Sequence, residues 1–254
     1  MKRYSDYNHA SVSMSAGEDF KKAIGHLFST EPIEYIFESG TFDGSGSTTT
    51  LAKAVQQNRL PVKTFVTAEV DYRLYRKARK NLEAFPFVTP RWGMTVNYEE
   101  AKAFIKQDEA ILHHDRYPDI FIDDVEDPQG FYLNELSGQL SKHHLRQSWL
   151  SRLSQLFEKR KEPFTENLFQ EHLPAMASGK TLVLLDSAGG VGYLEFQKVQ
   201  EIMKNKTYFL ILDDIHHLKH FRSYAHLQQG NGFRILNDNP AQGWVLAKKE
   251  GGAV

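Results

Sequence analysis

The chain has 254 residues, and its 31 basic and 32 acidic side chains leave a net charge of −1, too weak a field to draw it to a nucleic-acid backbone. Apolar residues make up 41% but occur only in short runs, which excludes a membrane span, and the polar residues 1–19 carry no signal-peptide core, so a cytoplasmic protein is expected. The absence of cysteine excludes disulfides, thiolate metal sites and cysteine nucleophiles, so any chemistry must rest on carboxylates, histidines, lysines or hydroxyls.

Taken in chain order, residues 34–38 form an apolar run that ends in Glu38 and enters a glycine-rich turn, with a helix opening at Ser47-Thr48-Thr49. A second strand-like run, 65–69, ends in Glu69, and a later one, 119–123, which a count from the N-terminus makes the fourth strand, ends in Asp123. From 127 to 179 the pattern becomes helical, with Leu133, Leu136, Leu140, Trp149, Leu153, Leu156 and Phe157 at three- and four-residue steps. That insertion either packs on the sheet or another subunit, or closes over an acceptor as a lid. Strand-like runs at 182–186 and 208–213 follow, separated by a second glycine turn and a helix marked by Tyr193, Phe196, Val199 and Met203. Residues 232–236 and 243–247 flank a turn-forming stretch at 237–240 and read as a hairpin. The alternation predicts a single α/β domain over 1–254: a Rossmann-like, mainly parallel sheet with helices on both faces, a C-terminal antiparallel hairpin and a helical insertion.

The first glycine turn has the composition of a cofactor loop, since glycine lets a ligand approach the backbone and the following hydroxyls cap a helix. A dinucleotide fingerprint fits Gly44-Ser45-Gly46-Ser47-Thr48-Thr49 only if Thr49 replaces the last glycine. Glu38 beside the loop would repel a pyrophosphate, yet it suits the ammonium of a methionine moiety. Here the chain resembles the class I S-adenosylmethionine-dependent methyltransferases, whose acid-x-Gly-x-x-x-Gly loop corresponds to Glu38, Gly40 and Gly44 and whose ribose-binding acid corresponds to Glu69. The cofactor-binding set expected on this resemblance is Glu38, Gly40, Thr41, Gly44, Ser47, Thr48, Glu69 and Asp123.

Acids also close the later strands, as Asp186 and Asp213-Asp214, and Ile215-His216-His217-Leu218-Lys219-His220 follows at once. In open parallel sheets such strand ends converge on one rim. The arrangement is similar to that of the metal-dependent sugar and catechol O-methyltransferases, which implies Asp186, Asp213 and Asp214 as ligands of magnesium or manganese. Asp213 and Asp214 can share one site only if the chain turns between them. Strands counted from the N-terminus make Asp186 the end of the fifth; counted back from the hairpin, it ends the fourth. The cluster also works without metal, with His217 as a base tuned by Asp214.

The expected catalytic set is His217, Lys219 and Asp214, acting on an oxygen of a small molecule such as a sugar or natural-product intermediate. No nucleic-acid or membrane partner is expected; a homo-oligomer is compatible with the sequence. Two other readings stay open: a metal-dependent hydroxylase or hydrolase on the same fold, and a non-catalytic nucleotide-binding subunit.

Overall fold

A computed structural model describes residues 14–123, 126–141, 163–187 and 189–252. Strands β1 (Tyr35–Ser39), β2 (Thr64–Glu69), β3 (Val88–Trp92), β4 (Thr181–Leu185), β5 (Tyr208–Leu212), β6 (Phe233–Asn239) and β7 (Trp244–Lys249) form one sheet in the order β3-β2-β1-β4-β5-β7-β6. The first five run parallel, and β7 lies antiparallel between β5 and β6.

Two apolar cores cover the faces of this sheet, as the unbroken hydrophobic strands require. Along β4 and β5, Leu182, Leu184, Phe209 and Ile211 join one core with α1 (Glu18–Thr30), α2 (Ser47–Asn58) and α3 (Tyr72–Asn81). Val183, Leu185, Leu210 and Leu212 point the other way. There they meet α4 (Tyr98–Gln107), α5 (Glu109–Leu112), α6 (Pro128–Ser141), α7 (Leu168–Met176), α8 (Gly192–Ile202) and α9 (Phe221–Gln228). Leu184 is fully buried, so Leu184→Ala should cost about 2–5 kcal/mol. Short polar residues start some of the helices: Asp71 accepts the amides of Arg73 and Leu74 ahead of α3, and Asn97 those of Glu99 and Glu100 ahead of α4.

Asp186 follows β4 and Asp213 follows β5, so the count back from the hairpin is the one the sheet follows. Residues 119–123 form no strand: Phe121 makes an isolated parallel bridge to His217, because the position beside β1 belongs to β4. The sequence reading also passed over β3, whose Pro90 is tolerated because, among the described residues, no strand pairs with its outer side. The hairpin is present, but 237–239 still belong to β6 and the turn falls at 240–243, with Gly243 at φ +79. The insertion is helical at both ends, in α6 and α7; Trp149, Leu153, Leu156 and Phe157 lie outside the described residues, and nothing is described of the Leu140 side chain. No helix among the described residues is long and apolar enough to cross a membrane.

Candidate functional site

A cavity of about 930 Å³ opens at the C-terminal ends of β1, β2 and β4. Its wall takes Ser39, Gly40, Thr41, Phe42, Ser45, Gly46 and Ser47 from the loop after β1, and Glu69, Val70 and Asp71 from the end of β2. Met94 and Thr95 follow β3, Tyr132, Glu135 and Leu136 come from α6, and Asp186, Ser187, Gly190, Val191 and Glu195 also line it. Gly40 stands at φ +78, and a Cβ there would fall 2.0 Å from the Asp186 carbonyl oxygen, so only glycine lets the loop lie against the end of β4.

Among the described residues, the charged side chains in this wall are all acids: Glu69, Asp71, Glu135, Asp186 and Glu195. The buried Glu69 carboxylate organises the loop, accepting the amides of Phe42 and of Asp71, each at 2.8 Å. Burial pushes its pKa up to about 7 against the pull of those amides. Glu195, on α8, is fully buried and accepts hydroxyls from Ser187 at 2.6 Å, Ser39 at 3.2 Å and Thr95. Burial raises its pKa as well. The sequence reading missed Glu195; its signal was an acid set between Leu194 and Phe196 on a helix buried along that stretch.

Of the expected cofactor residues, Gly40, Thr41, Ser47 and Glu69 line the cavity, whereas Glu38, Gly44, Thr48 and Asp123 do not. Strand alternation explains Glu38. Its neighbours face the other way, Phe37 against Phe169 of α7 and Ser39 toward Glu195 of α8, while Glu38 points toward the N-terminus of α2 and is fully buried. Ser47 and Thr48 donate to it at 2.6 Å each and Thr67 at 2.7 Å, and burial lifts its pKa to about 7. The ammonium partner expected of Glu38 is thus replaced in this structure by three hydroxyls. Gly44 packs instead on Leu82 and Ala78 of the α3 region.

Asp186, Asp213 and Asp214 converge, each offering one oxygen within 4.8 Å of the others. The chain does turn between the last two: Asp214 sits at φ +54, and its amide donates to Asp213 Oδ1 at 3.0 Å. Lys219 lies among them, 5% exposed, its Nζ 2.9 Å from Asp186 Oδ1, 2.8 Å from Asp214 Oδ2 and 3.2 Å from the Ser187 carbonyl oxygen. Burial opposes the ammonium charge, but Asp186, Asp214 and Asp213 outweigh it and raise the Lys219 pKa. Asp213 is driven well above the usual carboxylate range by burial and by its two acidic neighbours. Burial also works against charge on Asp214, yet Lys219 holds its pKa low. Three carboxylates suit a hard cation, but with the ammonium on two of them the set does not fit a divalent ion as it is folded.

His217 stands apart, against Asp123. Its Nε2 is 3.5 Å from Asp123 Oδ2, which also accepts the Tyr132 hydroxyl at 2.9 Å. Burial raises the Asp123 pKa, but His217 and Tyr132 outweigh it and hold the carboxyl low. The isolated bridge creates this pairing, with the Phe121 amide donating to the His216 carbonyl and the Leu218 amide to that of Phe121. Gly189 and Gly190 leave room for it, since Cβ atoms there would lie 2.8 and 2.7 Å from Tyr132 atoms. Neither Asp123 nor His217 lines the cavity, and Asp123 is linked to its wall by the Tyr132 hydroxyl.

No family model matches the chain, and no curated protein sequence matches it. Among solved structures, a fibrillarin/Nop5p complex is similar at 8% identity and a TM-score of 0.39, over 87% of this chain and 74% of that one. The CMeT domain of the citrinin polyketide synthase has 11% identity and a TM-score of 0.38, over 86% of this chain and 46% of that one, so the match spans under half of that structure. The 23S rRNA methyltransferase ErmE has 11% identity and a TM-score of 0.37, over 91% and 68%. At such identities and TM-scores these likenesses carry nothing about activity.

Proposed function

We propose that the chain is an S-adenosylmethionine-dependent methyltransferase that acts on an oxygen of a small molecule. The observation that carries this reading is that, among the described residues, acids are the charged side chains lining a cavity built on a glycine loop at the ends of β1, β2 and β4. S-adenosylmethionine has a net charge of about +1, from its sulfonium, ammonium and carboxylate, whereas a dinucleotide would bring a pyrophosphate against these acids. Such a wall favours the first and rejects the second.

Glu69 would hold the ribose: both its oxygens already accept an amide, and each keeps a lone pair for a hydroxyl. Gly40, Thr41 and Ser47 give the loop its close approach. When bound, the cofactor supplies a methyl group on a sulfonium leaving group. The acceptor hydroxyl must lose its proton as its oxygen is methylated, and Asp186, in the wall with a side chain 26% exposed, is the carboxylate placed to take it. Lys219 fixes that carboxylate through Oδ1. His217 does not line the cavity, so it is a positioning residue for Asp123 and Tyr132 in this reading.

Methyl-labelled S-adenosylmethionine incubated with the protein and a panel of hydroxylated sugars and phenols tests the assignment. Label transferred to oxygen in at least one acceptor is the expected result. Label found on nitrogen or carbon acceptors alone would refute the choice of oxygen.

A further inference from the structure

We propose that Lys219 is a built-in cation that takes the place of a divalent metal ion among Asp186, Asp213 and Asp214, so that the working protein keeps no metal there. The first support is geometric. The ammonium has three protons, and three acceptors surround it at 2.8–3.2 Å: Asp214 Oδ2, Asp186 Oδ1 and the Ser187 carbonyl oxygen. A metal ion bridging the carboxylates would need two of those oxygens and would stand beside a like charge in a buried place, where repulsion is strong.

The second support is how the chain delivers the lysine. The left-handed turn at Asp214 redirects it after β5, the Leu218 amide is tied to Phe121, and the Lys219 amide donates to His217 Nδ1 at 3.1 Å. On the opposite side Gly192 opens α8, and a Cβ there would fall 2.7 Å from Lys219 Cβ and 3.0 Å from its carbonyl oxygen. Backbone hydrogen bonds, a turn and a glycine thus hold the stem, and the ammonium is built in as firmly as the acids around it.

Removing the charge while keeping the stem should expose what the lysine covers. Uptake of Mn²⁺ by the full-length chain, followed through the loss of the free-ion electron paramagnetic resonance signal, is compared in the unaltered protein, Lys219→Met and Asp214→Asn. The unaltered protein is expected to take up no ion at the cluster and to melt at the same temperature with or without chelator. Lys219→Met is expected to bind one Mn²⁺ per chain and to melt higher with it. One Mn²⁺ per unaltered chain, lost in Asp214→Asn, would overturn the proposal; so would a folded Lys219→Met that binds none. Uptake that persists in Asp214→Asn lies elsewhere and leaves the cluster to Lys219. If Lys219→Met does not fold under any condition, the unaltered protein decides alone: no uptake sustains the proposal, and uptake lost in Asp214→Asn ends it.

Discussion

The backbone amide of Lys219 donates to Nδ1 of His217, which puts the proton of the neutral imidazole on Nε2, 3.5 Å from Asp123. Both nitrogens are therefore engaged, one as acceptor and one facing a carboxylate, and neither enters the cavity. A positioned general base contributes about 100- to 10,000-fold to a rate, and in the proposed function that share falls to Asp186. Asp186→Asn should lower kcat by roughly that factor with the Kd for S-adenosylmethionine little changed, whereas His217→Ala should cost less than about tenfold. Single-turnover kinetics of the two variants separate the roles. A collapse in His217→Ala with Asp186→Asn fully active would restore the histidine as base.

A second expectation concerns pH and stability. Glu38 and Glu69 have native pKa values near 7, raised from an unfolded value of 4.5, so the native state binds more protons than the unfolded chain between those limits. Their contribution is fully present below about pH 4.5 and is lost as pH rises through 7, at up to about 3 kcal/mol for each group. Glu38→Gln imitates the protonated acid and should flatten the fall in melting temperature between pH 5 and 8. A Glu38→Gln protein with the same slope as the parent would show that Glu38 stays charged in the fold.

The start of α6 tests lid against layer. Gln129 donates to the carbonyls of Ile105 and Lys106, Asp127 accepts the Gly130 amide at 2.9 Å, and Tyr132 and Leu136 are buried. Amides 132–136 should be slow in hydrogen exchange in the free protein, since opening them must expose two core side chains. Free-chain exchange close to the unfolded rate, slowing only when S-adenosylhomocysteine is added, would make this segment a lid.

Much of the sheet was legible because a strand buried on both faces has to be apolar, and Ile36-Phe37, Phe65-Val66, Leu182-Val183 and Leu210-Ile211 all are. The same rule misleads at Ile120-Phe121-Ile122, where the apolar run packs beside the His217 loop instead of entering the sheet. The Glu38 acid was visible, but which side it faced depended on where β1 ended, and a shift of one residue exchanges the faces. Lys219 read as a catalytic residue beside His217 and Asp214 in a polar run. Its place among three acids follows from the positive φ of Asp214 and the gap at Gly192, neither of which a residue type announces.

Calorimetric titration of the protein with S-adenosylmethionine and, separately, with NAD addresses the acidic cavity most directly, with Glu69→Ala as control. S-adenosylmethionine should bind and NAD should not. Glu69→Ala should weaken binding by about 1.5–3 kcal/mol, the usual worth of hydrogen bonds to a charged group, which is roughly 10- to 150-fold in Kd. Saturable binding of NAD, with no heat from S-adenosylmethionine, would contradict the assignment of this cavity.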